Sequence, residues 1–157
     1  MGVENQFPSR IVWTGNSGDG TRRYRGYDRI WDLAVPGKPV VHCSNDPALG
    51  GDPAKLNPED LLVSSVSACH MLWYLHLANQ AGIVVTAYED APVGFGESEA
   101  DGSGRFVLIE LRPEIVVEKG ADLAKAEALH GEIHRYCFIA RSLNFPVRWR
   151  CTLTEAD

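Results

Sequence analysis

Asn57-Pro58-Glu59-Asp60-Leu61-Leu62-Val63-Ser64-Ser65-Val66-Ser67-Ala68-Cys69-His70-Met71-Leu72-Trp73-Tyr74-Leu75-His76-Leu77-Ala78-Asn79-Gln80 carries the start and stop signals of a long helix. Asn57 suits the N-cap, and Pro58 suits the first helical position, where its missing N–H is not needed. Glu59 and Asp60 place negative charge at the positive end of the helix dipole. The spacing predicts a helix to about Gln80, with Gly82 as its terminator. Leu61, Leu62, Val63, Val66, Ala68, Cys69, Met71, Leu72, Trp73, Leu75 and Leu77 point in nearly every direction around its axis, which predicts burial on most sides.

The segments around that helix read as strands. Arg10 to Thr14 is a first strand, closed by the loop Gly15 to Gly20. Ile30 to Val35 and Val40 to Cys43 form a hairpin around Pro36-Gly37-Lys38, and Ser44 to Leu56 has no periodicity. Beyond Gly82, Ile83 to Tyr88 and Phe106 to Leu111 read as strands, with an irregular stretch near Pro92 to Gly96 and a turn at Asp101 to Gly104. A second helix is expected from near Asp122, with Leu123, Ala126, Leu129, Ile133, Cys137 and Ala140 on its buried face. Pro146 forbids its continuation, and the alternation of Val147, Trp149, Cys151 and Leu153 with polar residues gives a half-buried final strand. Hairpin-connected strands and two helices make the class α+β with mostly antiparallel sheet.

A chain of 157 residues suits one domain, residues 1–157, with enough length for a real core. The net charge of −6 disfavours nucleic acid and anionic membrane as partners, since both reward a basic surface. Met1 to Phe7 lacks a basic start followed by an apolar run. The charge-free stretch Leu61 to Tyr88 holds Ser64, Ser65, Ser67, His70, His76, Asn79 and Gln80, too polar for a bilayer. A cytoplasmic chain is therefore expected, with Cys43, Cys69, Cys137 and Cys151 reduced rather than joined in a static disulfide framework.

Cys43 and Cys151 lie on apolar strand faces and read as small core hydrophobes. Cys69 and Cys137 sit on helices beside Ser65, Ser67, His70 and His134, where a reactive role competes with a packing one. Cys69, His70, His134 and Cys137 are zinc-ligand types, but neighbouring helical residues diverge by about 100 degrees. No metal is therefore assigned. A Cys–His hydrolase would need an imidazole beside the thiol, and no Cys-x-x-Cys redox motif is present. The loop Gly15 to Thr21 lacks Gly-Lys-Ser/Thr and leads into no helix, so it reads as an ordinary turn.

Asn57-Pro58-Glu59-Asp60-Leu61-Leu62, then Ser67-Ala68-Cys69-His70, then His134-Arg135-Tyr136-Cys137-Phe138-Ile139-Ala140 together resemble the OsmC/Ohr family of osmotically inducible and organic hydroperoxide resistance proteins. Trp13 and Ser44-Asn45-Asp46-Pro47 look like its OsmC-like branch. The resemblance runs from about Trp13 to Val147, with Phe138 where the family often has Pro and His70 where it often has a bulky apolar residue.

The resemblance implies an intertwined homodimer and a thiol peroxidase acting on organic hydroperoxides, or also on hydrogen peroxide. Cys69 would be the peroxidatic nucleophile and Cys137 the resolving thiol. Glu59 would hold an arginine that faces the reactive sulfur: Arg29, with Arg22 and Arg23 as the other candidates. No cofactor is implied beyond an external dithiol reductant, such as a lipoyl or thioredoxin-type protein. Physical chemistry supports the need for the arginine, because Cys69 lies twelve residues beyond Asn57 and the dipole acts within the first turn. The competing reading is a protein that binds a lipid-like or aromatic small molecule near Met71, Trp73, Tyr74 and Leu75, with the cysteines as packing residues.

Overall fold

Short alternating segments at the start of the chain pair into a small antiparallel sheet. The computed structural model describes residues 2 and 4–157. Strands β1 (Arg10–Trp13), β2 (Trp31–Ala34) and β3 (Val41–Cys43) lie in the order β1-β2-β3, with Trp13 opposite Trp31 and Trp31 opposite Cys43. After β3, a 3-10 turn at Pro47–Leu49 leads to α1 (Pro58–Ala81). At its start, Asn57 Oδ1 accepts from the Asp60 N–H at 2.7 Å and Asp60 Oδ2 accepts from the Asn57 N–H at 3.1 Å. This reciprocal pair satisfies two backbone donors that the first turn leaves free. Gly82 ends the helix with φ +72°, and the Ile83 N–H closes back on the Ala78 carbonyl at 2.9 Å.

The chain forms two compact units, divided between Leu61 and Leu62. The second contains the rest of α1, then β4 (Val85–Asp90), β5 (Val93–Ser98), β6 (Gly104–Leu111), β7 (Pro113–Val117), α2 (Leu123–Ile133), β8 (Val147–Trp149) and β9 (Thr152–Glu155). These strands form two sheets, β4-β7-β9 and β5-β6-β8. Three chain segments each pass from one sheet to the other at a corner: between β4 and β5, between β6 and β7, and between β8 and β9. The corner is tied by polar groups. Arg112 donates from its backbone N to Asp90 Oδ1 at 2.7 Å and from Nε to Glu110 Oε1 at 2.9 Å, and Arg150 Nε reaches Glu110 Oε2 at 3.3 Å.

The α+β class holds, and the sheets are mixed: β8 and β9 join as parallel strands while the other pairings are antiparallel. Three local readings are corrected. The stretch near Pro92 to Gly96 is strand β5 rather than irregular, with Gly94 kept bare because a Cβ there would come within 2.6 Å of Phe106 and 2.7 Å of Val63. The segment Pro113–Val117, left without an element by its pattern, is strand β7. The second helix ends at Ile133, so Cys137 sits on the turns that follow it. The Cys137 N–H still bonds the Ile133 carbonyl at 2.9 Å, which keeps helical side-chain spacing beyond the helix.

The core of the second unit joins α1 to β7 and α2 through Tyr74, Ala78, Ile115, Val117, Ala126 and Ile133, with a second cluster at Val66, Ile109 and Leu111. Within α1 only Val66, His70, Tyr74 and Ala78 are buried, a single stripe at four-residue spacing, whereas Leu72 is 62% exposed. Burial on most sides is thus not what one copy of the chain provides, because one side of the helix has sheet and helix to pack on. The helix is long and apolar enough to cross a membrane by length and composition, yet its buried stripe lies in a folded core.

Candidate active site

The two helical-spacing cysteines meet. Cys69, half-buried on α1, and Cys137, buried on the turn after α2, place their sulfurs 2.7 Å apart as free thiols, with Cys137 Sγ–H donating toward Cys69 Sγ. The packing that brings them together is the core itself: Tyr74 and Ala78 on α1 share it with Ala126 and Ile133 on α2, and Tyr74 and Ile133 lie about one turn from Cys69 and Cys137. Burial pushes the Cys137 thiol up to about 11, and the contact with Cys69 adds to the rise. The Ala140 N–H, 3.3 Å from Cys137 Sγ, pulls the other way. Cys137 is therefore protonated at neutral pH and acts as donor to the more accessible sulfur.

A second pair lies beside the thiols. His70 follows Cys69 on the buried stripe of α1, and its Nε2 is 2.8 Å from Nδ1 of His130 on α2. The rings stack at 5.1 Å between centroids, and His130 also stacks on Tyr74 at 4.5 Å and on Trp149 at 6.0 Å. Burial lowers both imidazoles to about 4. For His130 the proximity of His70 lowers it further and Asp90 opposes. Both rings are neutral at physiological pH, and His130 Nε2 is buried with no hydrogen-bond partner among the described residues. A cavity of about 20 Å³, enough for one water, is lined by His70, His134, Cys137, Val66, Val147 and Trp149 among others. His130 left little trace in the sequence. Its only signal is a place between Ala126 and Ile133 on the buried face of α2, where a histidine needs a partner.

The other candidate side chains are occupied or buried. Tyr74 is fully buried, with its hydroxyl raised to about 12 by burial, and donates to the Ala126 carbonyl at 3.2 Å. Trp73 stacks on Tyr136 at 4.9 Å. Ser67 donates to Asp90. Cys43 is fully buried, and Cys151 is half-buried with its thiol raised by burial and then by Glu127. Among the described residues no group of three or more His, Cys, Asp or Glu side chains is placed to hold a metal.

In the first unit, Glu59 is exposed in the opening turn of α1, and no ion pair joins it to an arginine among the described residues. Arg29 is half-buried. Its Nη2 donates to the Tyr24 carbonyl at 3.0 Å, and its guanidinium lies over the rings of Tyr24 at 4.6 Å and Tyr27 at 5.0 Å. With Ile11, Trp13, Tyr27 and Trp31 it lines a cavity of about 440 Å³ within that unit. Arg23 pairs with Asp19 at 3.2 Å on an exposed loop, and Arg22 is exposed.

The family model described as OsmC-like protein matches residues 50–152, a span that includes the Asn57 cap, both thiols and both buried histidines. The chain belongs to the OsmC-like family. The OsmC-like chain has no match among curated proteins. Its fold is similar to an OsmC-like protein of unknown function from Vibrio cholerae, at 24% identity and TM-score 0.85, covering 95% of this chain and 100% of that one. It is similar also to an organic hydroperoxide resistance protein from Legionella pneumophila, at 16% identity and TM-score 0.69, covering 98% and 99%. A third similar structure is an organic hydroperoxide resistance protein from Elizabethkingia anophelis, at 16% identity and TM-score 0.71, covering 99% and 100%. At these identities the likeness concerns the fold.

Proposed function

We propose that this OsmC-like protein is a cysteine-based peroxidase that reduces organic hydroperoxides, or also hydrogen peroxide, with residues 1–157 acting as one functional domain. The observation that carries the reading is the 2.7 Å approach of a buried, protonated Cys137 to an accessible Cys69. The names of the Legionella and Elizabethkingia structures support the substrate class. The Cys69 thiolate attacks the peroxide O–O bond, takes one oxygen as sulfenic acid, and releases the alcohol once the alkoxide gains a proton. Cys137 then displaces that oxygen as water to give a Cys69–Cys137 disulfide. A dithiol such as a lipoyl or thioredoxin-type protein reduces it by exchange. No bound cofactor takes part.

Arg29 is assigned to stabilise the Cys69 thiolate and Glu59 to orient it, on the strength of the family resemblance and of the need for a cation so far along the helix. The two form no ion pair among the described residues, where Arg29 is held by Tyr24 and Tyr27. The functional form is a homodimer in the cytoplasm, in which a second copy covers apolar surface such as Leu72 on α1. The binding-protein reading has less to stand on, since Tyr74 and Trp73 are spent on core and stacking contacts.

Mass spectrometry after one equivalent of cumene hydroperoxide tests the proposal. It should find a Cys69–Cys137 disulfide in the wild type and a Cys69 sulfenate in Cys137→Ser. Unreacted thiols, together with retention of an apolar ligand by wild type and Cys69→Ser alike, would reject it in favour of the binding protein.

A further inference from the structure

We propose that His70 and His130 carry the proton of the Cys137 thiol while Cys137 attacks the Cys69 sulfenic acid, with one water in the cavity beside them linking imidazole to sulfur. The inference rests on the peroxidase reading and adds a proton path to its second step.

Cys137 cannot attack as a thiol, and at neutral pH it is almost entirely a thiol because burial holds its proton. Among the side chains that line the cavity with it, His70 is the one joined to a second buried base. The pair has one hydrogen between His70 Nε2 and His130 Nδ1, since both rings are neutral. In the tautomer where His70 donates, its Nδ1 is a bare acceptor. A proton taken up there passes the Nε2 hydrogen to His130, and the charge comes to rest on the ring whose Nε2 has no other partner. The groups facing the pair agree with that direction. From β4, Asp90 favours the charged form of His130. From α1, Tyr74 stacks on it as a neutral phenol. Trp149 of β8 brings no charge, and His134 and Cys137 reach the cavity from the turn after α2.

The step balances. The Cys137 S–H bond breaks and its proton moves through the water to the imidazoles, as a Cys137–Cys69 S–S bond forms. The S–O bond of the sulfenic acid breaks, and the departing hydroxide recovers the proton as water. The sulfenic sulfur is reduced, the Cys137 sulfur is oxidised, and no outside oxidant is consumed. Transfer to such weakly basic rings is uphill from a resting thiol. It therefore proceeds in concert with S–S bond formation, which makes the departing proton acidic.

Rapid-quench mass spectrometry on the full chain, after one equivalent of cumene hydroperoxide, separates sulfenate formation from disulfide formation. His70→Gln and His130→Gln keep a hydrogen-bonding side chain but cannot take a proton. Both should form the Cys69 sulfenate at the wild-type rate and the disulfide about a hundredfold more slowly. In the variants the second step should rise with hydroxide from pH 6 to 9. In the wild type it should stay level over that range and slow in deuterated solvent. Wild-type disulfide rates in both variants would overturn the proposal. So would a wild-type second step that climbs tenfold per pH unit, a measurement that needs no variant to fold, or a loss confined to His134→Gln. Absence of both sulfenate and disulfide in the wild type, with no sulfenate in Cys137→Ser, would instead remove the peroxidase reading, and this inference with it.

Discussion

Arg29 and the two buried histidines show how differently a residue's surroundings can constrain its role. Arg29 lies over two tyrosine rings and donates to a carbonyl, which leaves its charge intact and its position fixed. An opposite charge near a thiolate shifts its ionisation by about one to three units. Arg29→Ala should therefore slow the reaction of Cys69 with cumene hydroperoxide about tenfold or more at neutral pH, measured by stopped flow. Arg22→Ala and Arg23→Ala should react like the wild type; a loss confined to either of them would transfer the role to that loop. His70 and His130 have the opposite problem, since burial keeps them uncharged. The unfolded chain protonates each near 6.5, the folded chain only near 4. Stability from the pair is complete above pH 6.5 and drains away as pH falls toward 4. The loss is on the order of 3 kcal/mol for each imidazole. Urea midpoints from pH 7 to 4 should fall steeply in the wild type and less steeply in His130→Gln, where one of the two groups is gone; equal slopes would contradict the assignment.

Among the elements, α1 depends most visibly on its two ends. Asn57→Ala removes the acceptor for the Asp60 N–H, leaving only the Asp60 half of the cap, and should cost about 1 kcal/mol. At Gly82 a Cβ meets nothing within 4 Å, so Gly82→Ala should cost a similar amount, about 1 kcal/mol, through backbone strain alone at φ +72°. For a chain of this length each change should lower Tm by about 2–4 °C by calorimetry. These ends were legible in the sequence because capping is local: Asn57, Pro58 and Gly82 each state their role within four residues. Strands β5 and β7 were not. Gly94 and Gly96 blur the alternation of β5, and β7 starts at Pro113 with only Arg112 between it and the end of β6, so the bend between sheets has no turn signal of its own. The end of α2 was misread because the turns after Ile133 keep a spacing of three to four residues, and Cys137 and Ala140 stay on the buried face either way. The same limit applied to the site. Cys69 and Cys137 were linked by resemblance, whereas the meeting of His70 with a residue 60 positions away was visible to no local pattern.

For the molecule as a whole, oxidation and assembly are the measurable states. A Cys69–Cys137 disulfide would close a loop across 68 positions, and loop closure of that size restrains the unfolded chain by on the order of 4 kcal/mol. Peroxide-treated protein should therefore melt about 10 °C higher than reduced protein. Cys137→Ser should show no such gain; a gain that persists there would place the cross-link elsewhere. Light scattering at micromolar concentration should give twice the chain mass, and a monomer would contradict the proposed assembly. The corner between the two sheets bears on how such a chain is made. Strands β8 and β9 complete both sheets at once, and they come last among the elements. On the ribosome, the edges of β6 and β7 must wait unpaired for strands some 35 to 40 residues downstream. Until synthesis passes Glu155, the nascent chain presents two open sheet edges. Truncation after α2 should therefore give an aggregating rather than a merely inactive product, read as the loss of soluble chain on expression.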